Sequence, residues 1–417
     1  MMRKMKESGI EWIGQIPEEW EYVRLKHFYE FEKGKNAATY TQEYIGENEG
    51  IYPVYSGQTE NNGIMGNINS FDYDIEECLF TTTVGAKVMT PKILKGKFSL
   101  SQNCLIMKQI KNCNNKYFYY MLLPLFDYEK SLIPTYMQPS LRIEDLKTYA
   151  FYIPNIAEQQ KIADFLDDKV GEIDAIILKT IESIEVYKKY KQAVITEAVT
   201  KGLDDSILLK ESGIEWIGKI PATWDVLPLK YKVLLNQQTL SETTSQEYEF
   251  DYIEIGSVNL LDGVKQYEHM KFADAPSRAR RVVKKNDIIV STVRTYLKAI
   301  AKIPDKMDLI ASTGFAVLTP HDIDADYLAY MIKTDYFTET VTANSVGVSY
   351  PAINASELIG FKILLPSVHE QVEIAKYLDK KCGEIDALIA KKEAFVDEME
   401  TYKKSLIYEY VTGKKEV

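Results

Sequence analysis

The sequence predicts an α+β fold. Two homologous mixed α/β domains are joined by two long antiparallel helices, a coiled-coil pair, in a pseudo-twofold internal repeat. Three observations predict it. A tag occurs twice, as ESGIEWIGQIPEEW from Glu7 to Trp20 and as ESGIEWIGKIPATW from Glu211 to Trp224. A second pair of blocks starts at Pro154 (PNIAEQQKIADFLDDKVGEIDAII) and at Pro366 (PSVHEQVEIAKYLDKKCGEIDALI). Both of these blocks carry apolar residues at helical spacing for about ten turns. A match this long is a duplication. Its period of about 210 residues, far above the 20–50 of a solenoid, means two homologous domains.

The elements follow in order. The offset between copies grows from 204 (Glu7 to Glu211) to 212 (Pro154 to Pro366), so the second copy holds eight extra residues inside its body. Within the bodies, Leu79-Phe80-Thr81-Thr82 aligns with Ile289-Val290-Ser291-Thr292. Tyr117 to Met121 aligns with Tyr327 to Met331, and Pro139 and Leu146 align with Pro351 and Leu358. The β-branched and aromatic runs Asp287 to Val293 and Phe315 to Leu318 read as strands, and the Gly- and Asn-rich stretch Ser56 to Gly66 reads as a loop. The chain divides into a first variable body with its tag (1–152), a first long helix (153–205), a second body with the repeated tag (206–364), and a second long helix with the C-terminal tail (365–417).

Asn155-x-x-Glu158 and Ser367-x-x-Glu370 are capping boxes that start the two helices. The first apolar stripe runs through Ile162, Leu166, Val170, Ile173, Ile177, Ile181, Ile184, Tyr187, Val194 and Ala198. The second runs through Ile374, Leu378, Cys382, Ile385, Ile389, Val396, Met399, Tyr402, Leu406 and Tyr410. A helix of this length extends about 65 Å and needs a partner for its stripe, which the other copy supplies. The residues expected to pack in the antiparallel helix pair are Ile162, Leu166, Gly171, Ile173 and Ile177 on the first helix and Ile374, Leu378, Gly383, Ile385 and Ile389 on the second. Gly171 and Gly383 each cost about 1 kcal/mol relative to alanine in a helix. Their matched positions predict close approach of two backbones.

Composition excludes several classes. Hydrophobic residues make up 46% and charged residues 27%, ordinary for a globular protein. No apolar run of about 18 residues occurs, so no membrane span is expected. Met1 to Lys6 is basic but lacks an apolar core behind it, so no secretory signal is expected. Cys78, Cys104, Cys113 and Cys382 form no Cys-x-x-Cys pair, and His27, His269, His321 and His369 are scattered. This usage suits a reducing cytoplasm and supports neither a zinc site nor disulfides. Gly213-x-x-x-x-Gly218-Lys219 begins like a phosphate loop, but Ile220 stands where Ser or Thr would hold magnesium, and Gln15 replaces the lysine in the first copy. The simpler reading is a turn tying Trp12, Trp20, Trp216 and Trp224 to the helices. No catalytic or metal residue is assigned.

The net charge of -11 argues against nucleic acid at first sight. Its distribution reverses that. From Arg278 to Lys302 there are eight basic residues (Arg278, Arg280, Arg281, Lys284, Lys285, Arg294, Lys298, Lys302) against Asp287 alone. From Lys87 to Lys116 there are seven (Lys87, Lys92, Lys95, Lys97, Lys108, Lys111, Lys116) and no acid. Both windows lie in corresponding parts of the two bodies. Basic stripes grip phosphate, and arginine can also read guanine edges. Loop residues Tyr136, Gln138, Ser349 and Tyr350 are candidates for base or sugar contact, as are Gln58, Asn61 and Asn344. Thr82 and Thr292 are candidate phosphate contacts. Two diverged basic domains should read two different half-sites, with the helices as spacer.

The tags, the Pro-x-x-x-Glu-Gln helix starts at Pro154 and Pro366, and the Gly-Glu-Ile-Asp segments at Gly171 and Gly383 together closely resemble the specificity subunits of type I restriction–modification systems. The resemblance covers essentially the whole chain. It implies two target recognition domains, each reading one half of a bipartite, asymmetric site in double-stranded DNA. It implies two methyltransferase (modification) subunits docked largely on the helices, and two restriction (endonuclease/translocase) subunits joining that core. It implies a non-catalytic chain that binds no cofactor, with S-adenosylmethionine, ATP and Mg used by the partners. Recognition domains vary with the sequence they read, so the resemblance carries over no contact residue; the candidates above rest on charge and loop chemistry. A non-DNA pseudo-dimeric protein scaffold and a stand-alone enzyme are the competing readings.

Overall fold

The repeated tag folds the same way in both copies, and the rest of each body follows suit. A computed structural model describes residues 3–417 apart from positions 58, 59, 86, 205 and 216. Gln58 and Trp216 therefore lie outside the described residues. The chain forms two compact units, Met1–Ile181 with Ala394–Val417, and Glu182–Glu393. These units cut across the four sequence blocks, because each long helix contributes to both.

In the first unit, β1 (Met5–Glu7) and β2 (Gln15–Pro17) make the tag hairpin, with Met5 opposite Pro17. Next come β3 (Glu21–Arg24), β4 (Tyr29–Lys33), α1 (Gln42–Glu47), β5 (Glu49–Tyr55) and β6 (Ile64–Ile68). Gly66 thus belongs to a strand, where the sequence suggested only a loop. Then follow β7 (Tyr73–Thr82), β8 (Pro91–Leu100), β9 (Cys104–Gln109), α2 (Asn115–Ser131), α3 (Ile143–Thr148) and β10 (Ala150–Ile153). The sheet order is β4-β9-β7-β8-β5-β6, and β10 pairs back with β3. Successive strand residues serve opposite faces. Leu79, Leu105 and Met107 pack with Tyr117, Phe118 and Met121 of α2, while Cys78, Phe80 and Ile106 pack with Leu94 and Phe98. The long helix α4 (Ile156–Lys201) follows.

The second unit follows the same plan with more, shorter strands and a different complement of short helices. It contains β11 (Leu209–Glu211), β12 (Lys219–Pro221), β13 (Asp225–Pro228), β14 (Val233–Leu235), β15 (Glu249–Ile253), β16 (Val258–Asn259), β17 (Gly263–Val264) and β18 (Glu268–Lys271). After these come β19 (Ala279–Val283), β20 (Ile288–Ser291), β21 (Ile300–Lys302), β22 (Leu309–Ser312) and β23 (Phe315–Pro320). The body closes with α5 (Ala325–Ile332), α6 (Asp335–Ala343), α7 (Ala355–Leu358) and β24 (Lys362–Leu365), and α8 (Val368–Val411) follows. One sheet runs β14-β23-β20-β21 and another β18-β15-β22-β19. The first reproduces β4-β9-β7-β8. The ten-residue strand β7 corresponds to β19 followed by β20, and β8 to β21 followed by β22. The register break between Ile75 and Cys78 in the β7–β8 pair marks where the second copy has come apart into two sheets.

The register corrects one alignment made from sequence. Leu79 faces Met107 and Thr82 faces Cys104, whereas Ile288 faces Leu318 and Ser291 faces Phe315. The counterpart of Thr82 is therefore Ser291, and that of Thr292 is Thr83. The loop beyond this strand is equally long in both copies, with Thr81 facing Pro91 and Val290 facing Ile300, so the one-residue shift arises farther along the chain.

Each unit pairs one half of α4 with one half of α8, antiparallel. In the first unit the Phe165 and Tyr410 rings lie 4.5 Å apart and Lys403 meets Asp174 at 2.8 Å. In the second, Lys191 meets Asp386 at 2.7 Å and Lys392 sits 5.6 Å over the Tyr187 ring. The stripe belongs to the domain cores as much as to the helix pair. Ile162, Leu166, Ile173 and Ile177 are buried with Leu406, Ile407 and Val411, and Ile374, Leu378 and Cys382 with Val194 and Ala198. Ile385 is buried and Ile389 half-buried. Ile181 and Tyr402, expected in the stripe, are exposed, since two helices bury only a narrow seam and leave its margin in water. Gly171 and Gly383 make no close approach: a Cβ on either would meet nothing within 4 Å.

The helix starts are also explicit. Glu370 accepts from the Ser367 N–H at 3.0 Å while Ser367 Oγ accepts from the Glu370 N–H at 3.3 Å, a complete capping box. At Asn155 only the forward bond to the Glu158 N–H forms, because Glu158 is engaged by Arg3 at 2.8 Å. The glutamine of each Pro-x-x-x-Glu-Gln start is a buried staple. Gln159 donates to Pro154 O and accepts from the Asn114 N–H, and Gln371 does the same with Pro366 O and the Asp324 N–H.

Candidate nucleic-acid interface

In the first unit, four loops converge beyond the ends of β5, β7 and β8. The chain leaving β7 lies between two neighbours: the Thr83 N–H donates to Asn103 O (2.8 Å), and the Leu141 N–H donates to Thr83 O (2.8 Å). Val84 bridges Ser140, and the Gly85 N–H reaches Pro139 O at 3.3 Å. The Ser101 N–H binds Tyr55 O at 2.8 Å, which brings in the end of β5. These bonds put Lys87, exposed on the turn after β7, on loops fastened to the stretch carrying Tyr136 and Gln138. Both of those are exposed, Tyr136 to 86%. Thr82 is not available to phosphate. It is buried, donates to Lys87 O and accepts from the Thr90 N–H, bracing the turn from inside.

The second unit builds the same junction. Thr292 donates its N–H (2.8 Å) and its Oγ1 (2.9 Å) to Gly314 O and accepts from the Ile353 N–H (2.9 Å). That hydroxyl is therefore committed to the fold as well. Val293 bridges Ala352, the Thr295 N–H points to Pro351 O at 3.4 Å, and Thr295 Oγ1 bonds Ser345 Oγ at 2.7 Å. Arg278 joins this edge through its carbonyl, which accepts from the Thr313 N–H at 2.7 Å. The Arg294 guanidinium lies 4.9 Å over the Tyr350 ring, and Ser349 and Tyr350 are exposed beside it.

The two basic windows are not continuous bare stripes. Lys95 pairs with Glu77 (2.8 Å), Lys97 with Asp74 (4.0 Å), Lys108 with Glu32 and Lys116 with Asp167, while the Lys92 ammonium donates to Asn62 O. In the second window Arg278 pairs with Glu254, Lys285 with Asp305, Lys298 with Glu339 and Asp335, and Lys302 with Asp326. Arg280 turns onto Phe272 at 4.7 Å. Arg281 is half-buried, with its pKa lowered by burial, and donates to Thr239 Oγ1. Lys284 and Lys285 follow the far end of β19, about 16 Å along the strand from the Arg278 edge. Sequence windows count charges along the chain, but antiparallel strands send the two ends of such a window to opposite edges.

Sequence reasoning did not single out Asn62, Asn103 or Ser345, which help to hold these junctions. The signal was present in part: Asn62 and Asn103 adopt positive φ (57° and 65°), a conformation asparagine tolerates in turns. Asn61 shares that geometry, and Asn344 caps α6 by bonding Thr340 O. The four cysteines are buried, and burial pushes the Cys78 and Cys104 thiols up to about 12 and Cys113 to about 11. Among the described residues no His, Cys, Asp and Glu group could hold a metal ion, and no helix is long and apolar enough to cross a membrane.

Comparison with known proteins agrees with this architecture. The type I specificity subunit MjaVIII of Methanocaldococcus jannaschii is 26% identical over 96% of this chain and 94% of its own length. The putative type I specificity subunit MjaX of the same organism is 27% identical over 96% and 95%. A solved chain, from work on complex assembly and conformational transition of the type I R-M system, shares the fold with a TM-score of 0.68 at 13% identity. The match covers 96% of this chain and 99% of that one. The family description "Type I restriction modification DNA specificity domain" matches residues 17–186 and 225–395. The chain belongs to the type I restriction–modification DNA specificity family and carries two of its domains in tandem.

Proposed function

We propose that each unit's loop junction reads one half of a bipartite, asymmetric site in double-stranded DNA. In this reading the chain is non-catalytic. Its long helices set the spacer and dock two methyltransferase subunits, and two restriction subunits join them. S-adenosylmethionine, ATP and Mg are used by those partners, and the complex works in the cytoplasm. The observation that carries the reading is the repetition of one backbone junction with different side chains: Lys87, Tyr136 and Gln138 in one copy, Arg294, Ser349 and Tyr350 in the other. A duplicated scaffold with diverged loop tips is what two different half-sites require. The test is co-expression of the chain with its methyltransferase partner and genome-wide mapping of adenine methylation. A two-part motif with an unread spacer is expected. One contiguous motif, or methylation without sequence preference, would refute the proposal.

A further inference from the structure

The loop leaving the central strand is equally long in the two junctions, since Thr81 faces Pro91 and Val290 faces Ile300, and where the first has a glycine the second has an arginine. In the first unit the contacts to the facing loop come from adjacent residues: Val84 bridges Ser140 and the Gly85 N–H points to Pro139 O. In the second, the same contacts come from Val293, to Ala352, and from Thr295, to Pro351 O. Arg294 stands where the first unit has Gly85: both adopt positive φ, and the carbonyl of each accepts from the N–H three residues on, Val88 at 3.0 Å and Leu297 at 2.9 Å. Its backbone adopts φ 51°, a left-handed conformation uncommon outside glycine and asparagine. The flanking chain is fastened on both sides, by the Val293 bridge and by Thr295 Oγ1 on Ser345, so the arginine is held out from the junction.

The side chain is exposed, and none of the described ion pairs engages it. Its guanidinium instead lies 4.9 Å over the ring of Tyr350, on the facing loop. A ring on one side of the guanidinium occupies none of its N–H donors, and the planar fork lets two of them point the same way. That is the donor pattern matching O6 and N7 of guanine in the major groove. Neighbouring Arg278 is tied to Glu254 and Lys298 to Glu339 and Asp335, so neither offers the same open edge.

We infer that Arg294, held against Tyr350, reads a guanine in the half-site bound by the second unit, and that the first unit has no equivalent device. This inference rests on the DNA-reading function proposed above. The test is selection of duplexes from a randomised pool by the full chain assembled with its methyltransferase partner, followed by sequencing. The wild-type chain should fix a guanine in one half-site. Arg294→Ala should make that base degenerate, leave the other half-site unchanged, and weaken binding to the wild-type site roughly 5- to 150-fold. Arg294→Lys keeps the charge without the planar donor pair and should also relax the guanine. Tyr350→Phe keeps the ring and should preserve it, whereas Tyr350→Ala should not. Uniform weakening of all sequences by Arg294→Ala would make Arg294 a phosphate contact and overturn the inference while leaving the DNA reader intact. An unchanged motif would overturn it equally. Failure of the wild-type complex to select any motif would remove the reading itself.

Discussion

Glu370 shows how much one side chain of the repeated helix start can hold. It accepts from the Ser367 N–H (3.0 Å), the Ser367 hydroxyl (2.7 Å) and the Trp224 indole (3.2 Å), joining the tag to the helix. Partial burial pushes its pKa up, but the donated hydrogen bonds outweigh that and hold it below its ordinary 4.5. A lowered folded-state pKa stabilises the native state fully above the unfolded value and loses that stabilisation as pH falls through the folded value. Glu370→Gln should therefore cost about 1 kcal/mol at neutral pH, the typical worth of a cap. It should also flatten the acid limb of a thermal-melting profile recorded from pH 7 to pH 3. A mutant whose Tm falls with acid as steeply as wild type would show that Glu370 is not a source of that limb. The first copy solves the same problem differently. Glu158 goes to Arg3, Arg3 lies 5.5 Å over Trp20, and the buried Trp20 Nε1 has no hydrogen-bond partner. The recurrence of Glu and Gln after the two prolines was legible in the sequence. The different use of Glu158 was not, because it depends on Arg3, some 155 residues away in the chain.

At the scale of elements, the long helices were the most legible part, because only a helix needs a 3.6-residue apolar period maintained over ten turns. Their polar contacts are also duplicated. Tyr120 donates to Asp167 and Tyr330 to Asp379, both at 2.9 Å, and the Lys403–Asp174 pair corresponds to Lys191–Asp386. What periodicity could not convey is which turns of a stripe face protein. Ile181 and Tyr402 fit the pattern and lie in water. The matched glycines misled for a related reason: a shared position shows common descent of the copies, and close approach is only one of its causes. Since a Cβ at Gly171 or Gly383 meets nothing within 4 Å, alanine should be accepted without strain and should remove the glycine entropy penalty. Gly171→Ala and Gly383→Ala should each add up to about 1 kcal/mol. Scanning calorimetry should then show Tm higher by about 2–4 °C for a unit of this size. A lower Tm in either variant would mean that a neighbouring backbone does approach that glycine closely. The sheets were less legible. The coming apart of β7 and β8 into two strands each follows from long-range pairing, and the insertions that accompany it carry no signature of their own.

For the molecule as a whole, the question raised by the net charge of -11 becomes one of which cations remain available. Charge counting along the chain singled out two regions and overestimated their free charge, because it could not see the carboxylates that the fold brings opposite. Lys95 faces Glu77, while Lys87 is exposed on the loop beside Tyr136 and takes part in none of the described ion pairs. An ammonium already neutralised by a carboxylate releases few counterions on meeting phosphate; an unpaired one releases about a full equivalent. The two lysines, eight residues apart in the same window, should therefore behave differently. Lys87→Ala should weaken binding of the methyltransferase-assembled chain to every duplex alike. It should also reduce the slope of log K against log salt by about 0.9, leaving the preferred sequence as it was. Lys95→Ala should leave both slope and affinity near wild type. Titrations of one specific and one scrambled duplex between 50 and 200 mM salt, a range over which about 1,000-fold or more separates many-contact from few-contact binders, resolve these outcomes. Equal slopes for the two variants would mean that ion pairing within the fold does not decide which lysines meet the phosphates.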